Sequence, residues 1–235
     1  MTKDEGRRGK VPWLRIGVHV LGGLPLARIL FDALTGGLSV NPIQDITQRL
    51  GRGALYLLAA SLAVTPLNTL FGWRALLRHR RALGLYAFLY AALHFTMFAA
   101  IDYGLDLQEI GRQTVEKPYI LMGVTAGSIL LALAITSFKW WMRQMGKGWQ
   151  SLHRLIYLAG IVVIIHYAWA KKGNLFTLSG DVLAPLLWGL LLIILLFLRL
   201  PAIRKWASSL RQRRPGKNRP APQGGAGNNQ QSTPK

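Results

Sequence analysis

The chain has 235 residues, of which 51% are hydrophobic, and it carries a formal net charge of +20. It contains no cysteine, which excludes disulfides, thiolate metal sites and iron–sulfur clusters. In a soluble protein this charge would indicate nucleic-acid binding. Here, however, the apolar residues form long blocks that a soluble protein would have difficulty covering, which indicates a membrane protein instead.

Six apolar blocks follow one another along the chain, each about 20 residues long, the length that spans a bilayer as a helix. A helix satisfies its backbone hydrogen bonds internally, as lipid requires. The blocks cover residues 13–34, 53–71, 83–101, 118–138, 151–169 and 182–200. The sequence therefore predicts an all-α, polytopic membrane bundle of six transmembrane helices.

The first block follows a basic segment, Met1 to Lys10, and no small-residue cleavage site comes after it. We therefore expect a retained helix rather than a signal peptide. Arg28 and Asp32 lie four residues apart near its far end, which allows an ion pair on one helix face. Such a pair near the membrane interface is a structural feature.

Charge is sorted between the two sides of the predicted bundle. With the N-terminus inside, the cytoplasmic parts are residues 1–12, 72–82, 139–150 and 201–235, and most of the lysines and arginines lie in or beside them. The opposite side holds most of the acids, namely Asp32, Asp45, Asp102, Asp106, Glu109, Glu116 and Asp181. This is the positive-inside pattern, and it predicts that both termini are cytoplasmic.

The chain divides into three predicted regions: a basic cytoplasmic N-terminus (1–12), the transmembrane domain (13–206) and a basic, disordered cytoplasmic tail (207–235). The tail is rich in Arg, Pro, Gly, Asn and Gln, a composition that cannot bury a core. No internal repeat is apparent. Nor is there a glycine-rich phosphate loop or room for a nucleotide-binding domain.

Four of the five histidines, His19, His94, His153 and His166, lie inside predicted helices. Ionisable residues at membrane depth are costly, so they are functional candidates by default. The fifth, His79, belongs to the basic stretch 78–81, where a solvated loop residue is the simpler interpretation.

Haem b is the cofactor that membrane helix bundles hold with histidine alone, one imidazole on each face of the macrocycle. At ~1.5 Å per residue, His94 and His166 lie at similar depth near the far side, and His153 and His19 lie nearer the cytoplasm. These are the two expected pairs. Around an ideal helix, His153 and His166 lie roughly 140° apart in azimuth, so they do not share one stripe. Either a π-bulge or supercoil realigns them, or they face different partner helices, which fits His166 facing the third helix and His153 facing the first.

Small residues could leave room for a macrocycle, and the candidates are Gly84, Ala91, Ala92, Ala159 and Gly160. Small residues are also common at plain helix contacts in membranes. Two other functions fit a histidine-bearing bundle: a transporter with a histidine proton relay and a scaffold without a cofactor. Both predict a colourless protein, whereas haem b gives a sharp α-band on reduction.

Several stretches together resemble a known family. Residues 149–157 and 166–169 resemble the fifth helix of the ferric-reductase-like transmembrane domain. Residues 11–206 as a whole resemble the MsrQ family of haem-binding membrane subunits of bacterial methionine sulfoxide reductase systems. Supporting stretches are 41–47, 51–52, 65–67, 80–85, 117–119 and 146–149.

The resemblance implies a multi-pass b-type cytochrome of the bacterial inner membrane, with one or two haems and FMN as a further cofactor. Electrons would come from the quinone pool or a cytoplasmic flavin reductase. They would pass to a periplasmic molybdopterin reductase, MsrP, which repairs oxidised methionines, so that catalysis belongs to the partner. The implied axial ligands are His94, His153 and His166, with His19 as a fourth candidate.

The chain departs from its wider relatives in one place. NADPH-oxidase-like proteins carry two histidines on the third helix, whereas only His94 lies within that helix here, because His79 falls in the loop. The second ligand of a haem on the cytoplasmic side is therefore left open.

Overall fold

The computed structural model describes residues 12–171, 183–200 and 202–203, and every regular element within them is helical. The predicted N-terminal region 1–12, apart from Pro12, and the tail 207–235 lie outside the described residues. The α-helices are α1 (Pro12–Thr35), α2 (Pro42–Phe71), α3 (Arg80–Thr96), α4 (Leu107–Glu116), α5 (Pro118–Ile135), α6 (Lys139–Met145), α7 (Lys147–Leu152), α8 (Leu155–Ala170) and α9 (Leu183–Phe197).

Within the described residues, five helical stretches are long and apolar enough to cross a membrane: Trp13–Thr35, Pro42–Phe71, Arg74–Asp102, Pro118–Ile135 and Lys147–Ala170. The sixth predicted span corresponds to α9, which is apolar but has 15 residues. The outer surface carries large apolar side chains, such as Leu187 and Ile193, that are 57% and 65% exposed. The all-α class and a multi-pass membrane protein are thus confirmed, whereas the count of six spans and the side of the termini stay predictions.

Helix α2 begins well before the apolar block that predicted it. Asn41 caps its start by accepting a hydrogen bond from the Gln44 amide over 3.1 Å, and Pro42 occupies the first turn. The helix ends at Gly72, whose φ of +75° is the left-handed conformation that glycine adopts without strain. The predicted start at residue 53 was wrong because the polar first turns of α2 lower the hydropathy that marks a span.

Two predicted spans are not uniform α-helices. The third continues from α3 into a π-helical turn, Met97–Asp102, which begins three residues after His94. In the fifth, residues 153–154 form a turn between α7 and α8. The expected azimuth between His153 and His166 assumed one continuous helix and therefore does not hold.

Two antiparallel helix pairs, α2 with α3 and α5 with α8, form the centre of the bundle, and α3 also packs on α5. Ala87 on α3 and Ala159 on α8 are both fully buried, which lets the helices approach closely. Helix α9 packs on α8 and α2, and α1 packs on α2 and α3.

A network of ion pairs ties α1 to α2. The predicted Arg28–Asp32 pair is confirmed at 3.1 Å. Arg49 on α2 also pairs with Asp32, and it grips both carboxylate oxygens of Asp45 at 2.8 Å. Asp32 is only 5% exposed, so these partners offset the cost of its buried charge.

Helix α4 was not predicted, since it falls in a loop between two apolar blocks. Asp106 caps it by accepting from the amides of Gln108 and Glu109, each at 3.0 Å. Glu109 and Arg112 pair at 2.7 Å, and the Arg112 guanidinium lowers the pKa of Glu109 to about 2. These acids thus have structural roles in this helix.

Candidate functional site

His94 lies in the last turns of α3 and is directed at α2. Its Nδ1 lies 2.7 Å from the backbone carbonyl oxygen of Thr47. A carbonyl can only accept, so Nδ1 donates and carries the proton. Nε2 is left with a free lone pair, the form in which imidazole binds a metal.

His166 repeats this arrangement on the second helix pair. Its Nδ1 lies 2.7 Å from the backbone carbonyl oxygen of Tyr119, at the start of α5. Because this carbonyl also can only accept, the proton lies on Nδ1 and the lone pair on Nε2. The two histidines therefore have the same tautomer, each fixed by a helix carbonyl.

The two imidazoles meet between the helix pairs. The ring centroids of His94 and His166 lie 6.1 Å apart, with the ring planes at 78° to each other. This is one of the two pairs expected from depth along the helices, and the structure brings it together.

A glycine beside each imidazole allows the ring to lie close to the helix whose carbonyl it contacts. Neither glycine was predicted from the sequence. A Cβ on Gly51 would lie 3.2 Å from Cε1 and Nδ1 of His94. A Cβ on Gly123 would lie 2.8 Å from Cε1 of His166 and 2.9 Å from its Nδ1. In each case the glycine follows the carbonyl-bearing residue by one helical turn. This four-residue spacing can be read from the sequence. It points to a site only when the helix pairing that brings each histidine beside its glycine is known.

Where the structure gives their neighbours, the small residues that the sequence suggested as room for a macrocycle lie beside residues other than His94 and His166. A Cβ on Gly84 would meet Ser61 Oγ at 3.5 Å, and one on Gly160 would meet a Leu62 methyl at 3.8 Å. Ala159 is fully buried in the core. These three are helix-packing positions, and Ala91 and Ala92 are half-buried.

His153 is held differently. Its Nε2 lies 3.2 Å from Oγ1 of Thr136, a hydroxyl that donates to the Ala132 carbonyl over 2.7 Å. That hydroxyl proton is already used, so Nε2 of His153 donates to Oγ1 and is the protonated nitrogen. The Trp149 ring lies 4.1 Å away, centroid to centroid, and its Nε1 donates to the Thr136 carbonyl over 2.8 Å. His153 thus presents the opposite tautomer to His94 and His166.

His19 lies on α1, where its Nδ1 is 2.8 Å from the hydroxyl oxygen of Tyr86. Among the described residues, its ring contact is with Tyr86, and that of His153 is with Trp149. The expected pair of His153 with His19 is therefore not brought together. His79 ends the 3₁₀ turn Arg74–His79 that precedes α3.

The donor set suits a macrocycle better than a bare ion. No group of three or more His, Asp or Glu side chains that could hold a metal ion occurs in the described part of the chain. A porphyrin supplies four nitrogens itself and needs only two axial ligands. Imidazole–metal bonds are about 2 Å long, so two trans imidazoles have centroids about 6 Å apart once the ring radius of about 1 Å is added. The observed 6.1 Å fits that requirement.

Residues 50–164 match the family described as "Ferric reductase like transmembrane component". The chain is also 39% identical to the protein-methionine-sulfoxide reductase heme-binding subunit MsrQ of Cronobacter sakazakii, over 84% of this chain and 96% of that protein. The subunits of the same name from Salmonella arizonae and Salmonella newport are 36% and 37% identical over the same shares. The chain belongs to the MsrQ family.

The ferric-reductase-like match begins in α2 and ends in α8, so it includes His94 and His153 and stops just before His166. The similarity to the MsrQ relatives covers nearly their whole length. The family resemblance noted from the sequence is thereby confirmed, and it covers most of the histidine-bearing bundle.

Proposed function

We propose that this MsrQ-family protein is a membrane b-type cytochrome that relays electrons to a methionine sulfoxide reductase. The observation that carries the proposal is the meeting of His94 and His166 between two helix pairs, with centroids 6.1 Å apart and both Nε2 atoms free of the carbonyl hydrogen bonds. Its relatives are named heme-binding subunits, which supports the choice of porphyrin.

His94 and His166 would hold the haem iron through their Nε2 atoms. The bound haem supplies one-electron chemistry between ferric and ferrous iron. Because two imidazoles would hold the iron, these residues would favour electron transfer over oxygen binding. The Thr47 and Tyr119 carbonyls keep the proton on Nδ1, which orients each ring and raises its basicity as a ligand.

We propose a second haem site, nearer the cytoplasm, that uses His153 and His19. For this, His153 must bind through Nδ1 or give up its hydrogen bond to Thr136. His19 must leave Tyr86 or use its other nitrogen. The second site therefore requires rearrangement, whereas the first uses atoms already in place.

The partners follow from family membership. We propose that electrons enter from the quinone pool or a cytoplasmic flavin reductase, with FMN as a further cofactor. They would leave to an MsrP-type molybdopterin reductase on the periplasmic side of the inner membrane. The relatives' name, which refers to a protein-methionine-sulfoxide reductase, supports the last step. Catalysis on the sulfoxide would belong to that partner.

The acidic residues on the proposed periplasmic face could dock a basic partner, but several of them are already paired within the chain. Asp32 and Asp45 are paired with Arg49, and Glu109 with Arg112. Paired carboxylates attract a basic partner less strongly than free ones. We infer that electrostatic steering on this face is modest.

The test is haem quantification, with optical spectra before and after dithionite, on protein produced with ample haem supply. We expect a sharp reduced α-band in the wild type. His94→Ala and His166→Ala should each remove one and the same haem. His79→Ala is the matched control, since it changes a histidine outside the bundle, and it should keep wild-type content.

Two results would overturn the proposal. A wild-type protein without iron porphyrin would favour the histidine proton relay of a transporter or a scaffold without a cofactor. Full haem content in both His94→Ala and His166→Ala would show that the pair is not the ligand set. His153→Ala and His19→Ala test the second site separately, because each variant should lose the second haem and keep the first.

A further inference from the structure

The two histidines sit in two copies of one structural unit. In each unit a helix carbonyl accepts from Nδ1 of a histidine 47 residues later in the chain, at 2.7 Å. In each, a glycine one turn after that carbonyl faces the imidazole. The helix pairs α2–α3 and α5–α8 thus repeat one arrangement, although no repeat is apparent in the sequence.

In both units the imidazole lies too close to the glycine for a methyl group to fit without a shift. A Cβ on Gly123 would lie 2.8 Å from a ring carbon of His166, closer than real Cβ atoms come to other heavy atoms. At Gly51 the corresponding distance to His94 is 3.2 Å, which would require a shift of a few tenths of an ångström. Each ring is also anchored to the turn that bears the glycine, through its hydrogen bond, so it cannot retreat without lengthening that bond.

We propose that Gly51 and Gly123 are positioning residues that seat the two imidazoles on helix carbonyls and so present Nε2 of each to the iron. The inference rests on the proposed function, since it assumes that His94 and His166 bind haem. A side chain at Gly123 would push the His166 ring off its carbonyl, and one at Gly51 would shift the His94 ring by a few tenths of an ångström. The ligand would then lose the partner that sets its tautomer and basicity.

The test compares Gly123→Ala and Gly51→Ala with Gly127→Ala. Gly127 is one turn further along α5, and a Cβ there would meet no atom within 4 Å, so it controls for the general effect of alanine in this helix. The readouts are haem affinity, the low-spin ferric EPR signal and the haem midpoint potential. Loss of an outer-shell partner typically weakens metal affinity by about 10–100-fold.

We expect Gly123→Ala to lower haem affinity by about 10-fold or more, or to change the EPR signal and potential of the haem that remains. Gly51→Ala should have a smaller effect of the same kind, because its clash is milder, and Gly127→Ala should match the wild type. Gly123→Ala with the affinity, EPR signal and potential of Gly127→Ala would overturn the proposal. If Gly123→Ala does not fold, Gly51→Ala carries the same comparison.

A second measurement needs no haem. In the apoprotein, Gly123→Ala should destabilise the bundle, and His166→Ala should remove most of that effect, because the methyl group then has room. If Gly123→Ala lowers the free energy of unfolding equally in the wild-type and His166→Ala backgrounds, the contact between Gly123 and His166 is contradicted. Wild-type protein without haem would instead refute the proposed function while leaving this coupling measurable.

Discussion

The hydroxyl of Tyr90 on α3 donates to the backbone carbonyl of Gly22 on α1 over 2.7 Å. The same hydroxyl accepts from the amide of Leu26 over 3.0 Å. In an uninterrupted helix these two backbone groups would bond to each other. Pro25 lies between them, and the tyrosine hydroxyl is inserted where the helical hydrogen bond would have been.

Tyr90→Phe should therefore weaken the attachment of α1. Tyr90 is 2% exposed, and its removal leaves a buried amide and carbonyl without their partner. We expect a loss of about 2 kcal/mol in the free energy of unfolding. Thermal or denaturant unfolding in detergent measures it. Tyr56→Phe is the control, because Tyr56 is 45% exposed on α2, and equal stability of the two variants would contradict the bridging role.

The angle between the imidazole planes predicts a spectroscopic signature. The rings of His94 and His166 lie at 78°, close to perpendicular. Low-spin ferric haem with near-perpendicular axial imidazoles gives a highly anisotropic EPR signal, because the iron d orbitals on which the two rings act are nearly degenerate. Low-temperature EPR of the oxidised protein should show that signal. A rhombic spectrum typical of parallel rings would contradict the prediction.

Arg199 should be coupled energetically to Pro66. Proline lacks an amide hydrogen, so Pro66 cannot satisfy the Leu62 carbonyl one turn earlier. Arg199 is only 8% exposed and donates to that carbonyl from Nε at 3.1 Å and from Nη2 at 2.8 Å. We expect Arg199→Met to destabilise the bundle by about 1–3 kcal/mol.

A double-mutant cycle measures this coupling. In a Pro66→Ala background the new amide of residue 66 can satisfy the Leu62 carbonyl, so Arg199→Met should cost less there. An interaction energy of about 1 kcal/mol is expected for groups in one hydrogen-bond network. Strict additivity of the two substitutions would show that the arginine acts elsewhere, for example on the Tyr157 ring 5.7 Å away.

The pH dependence of α4 follows from Glu109, whose pKa is lowered from 4.5 to about 2, mainly by its hydrogen bond with Arg112. A lowered pKa means that the stabilisation is present above the unfolded value of 4.5. It is lost as the pH falls toward 2. Carboxyl-carbon NMR of Glu109 against pH should give a midpoint well below 4.5. Arg112→Gln should move the midpoint up, and an unmoved midpoint would exclude Arg112 as the cause.

The positions of the spans were predictable from the sequence, but their internal breaks were not. Hydropathy located α1, α3, α5 and α8 to within a few residues, because burial in lipid depends on the average character of each segment. It missed the early start of α2, because the first turns of that helix are polar although Asn41 caps them as a helix. It also missed the turn at His153, whose side chain contacts Thr136 and Trp149.

The histidines of the candidate site could be identified from the sequence, whereas its glycines could not, and the pairing of the histidines could be predicted only in part. Depth along the helices suffices to match His94 with His166, since rise per residue is nearly constant. It does not suffice for His153 and His19, whose hydrogen bonds with Thr136 and Tyr86 direct each ring to its own neighbour. Side-chain direction of this kind is set by single contacts between distant residues.

The amino-acid sequence alone determined that this protein is an α-helical, multi-pass membrane protein, how basic and acidic residues are distributed among its loops, and that histidines lie within its apolar segments. These properties follow from the hydropathy and charge of each segment, which decide whether that segment partitions into lipid or water. The tertiary structure decided which nitrogen of each histidine is free and which glycines make room for the rings. Those outcomes depend on hydrogen bonds and van der Waals contacts whose energies change over tenths of an ångström, between residues that only the packed helices bring together.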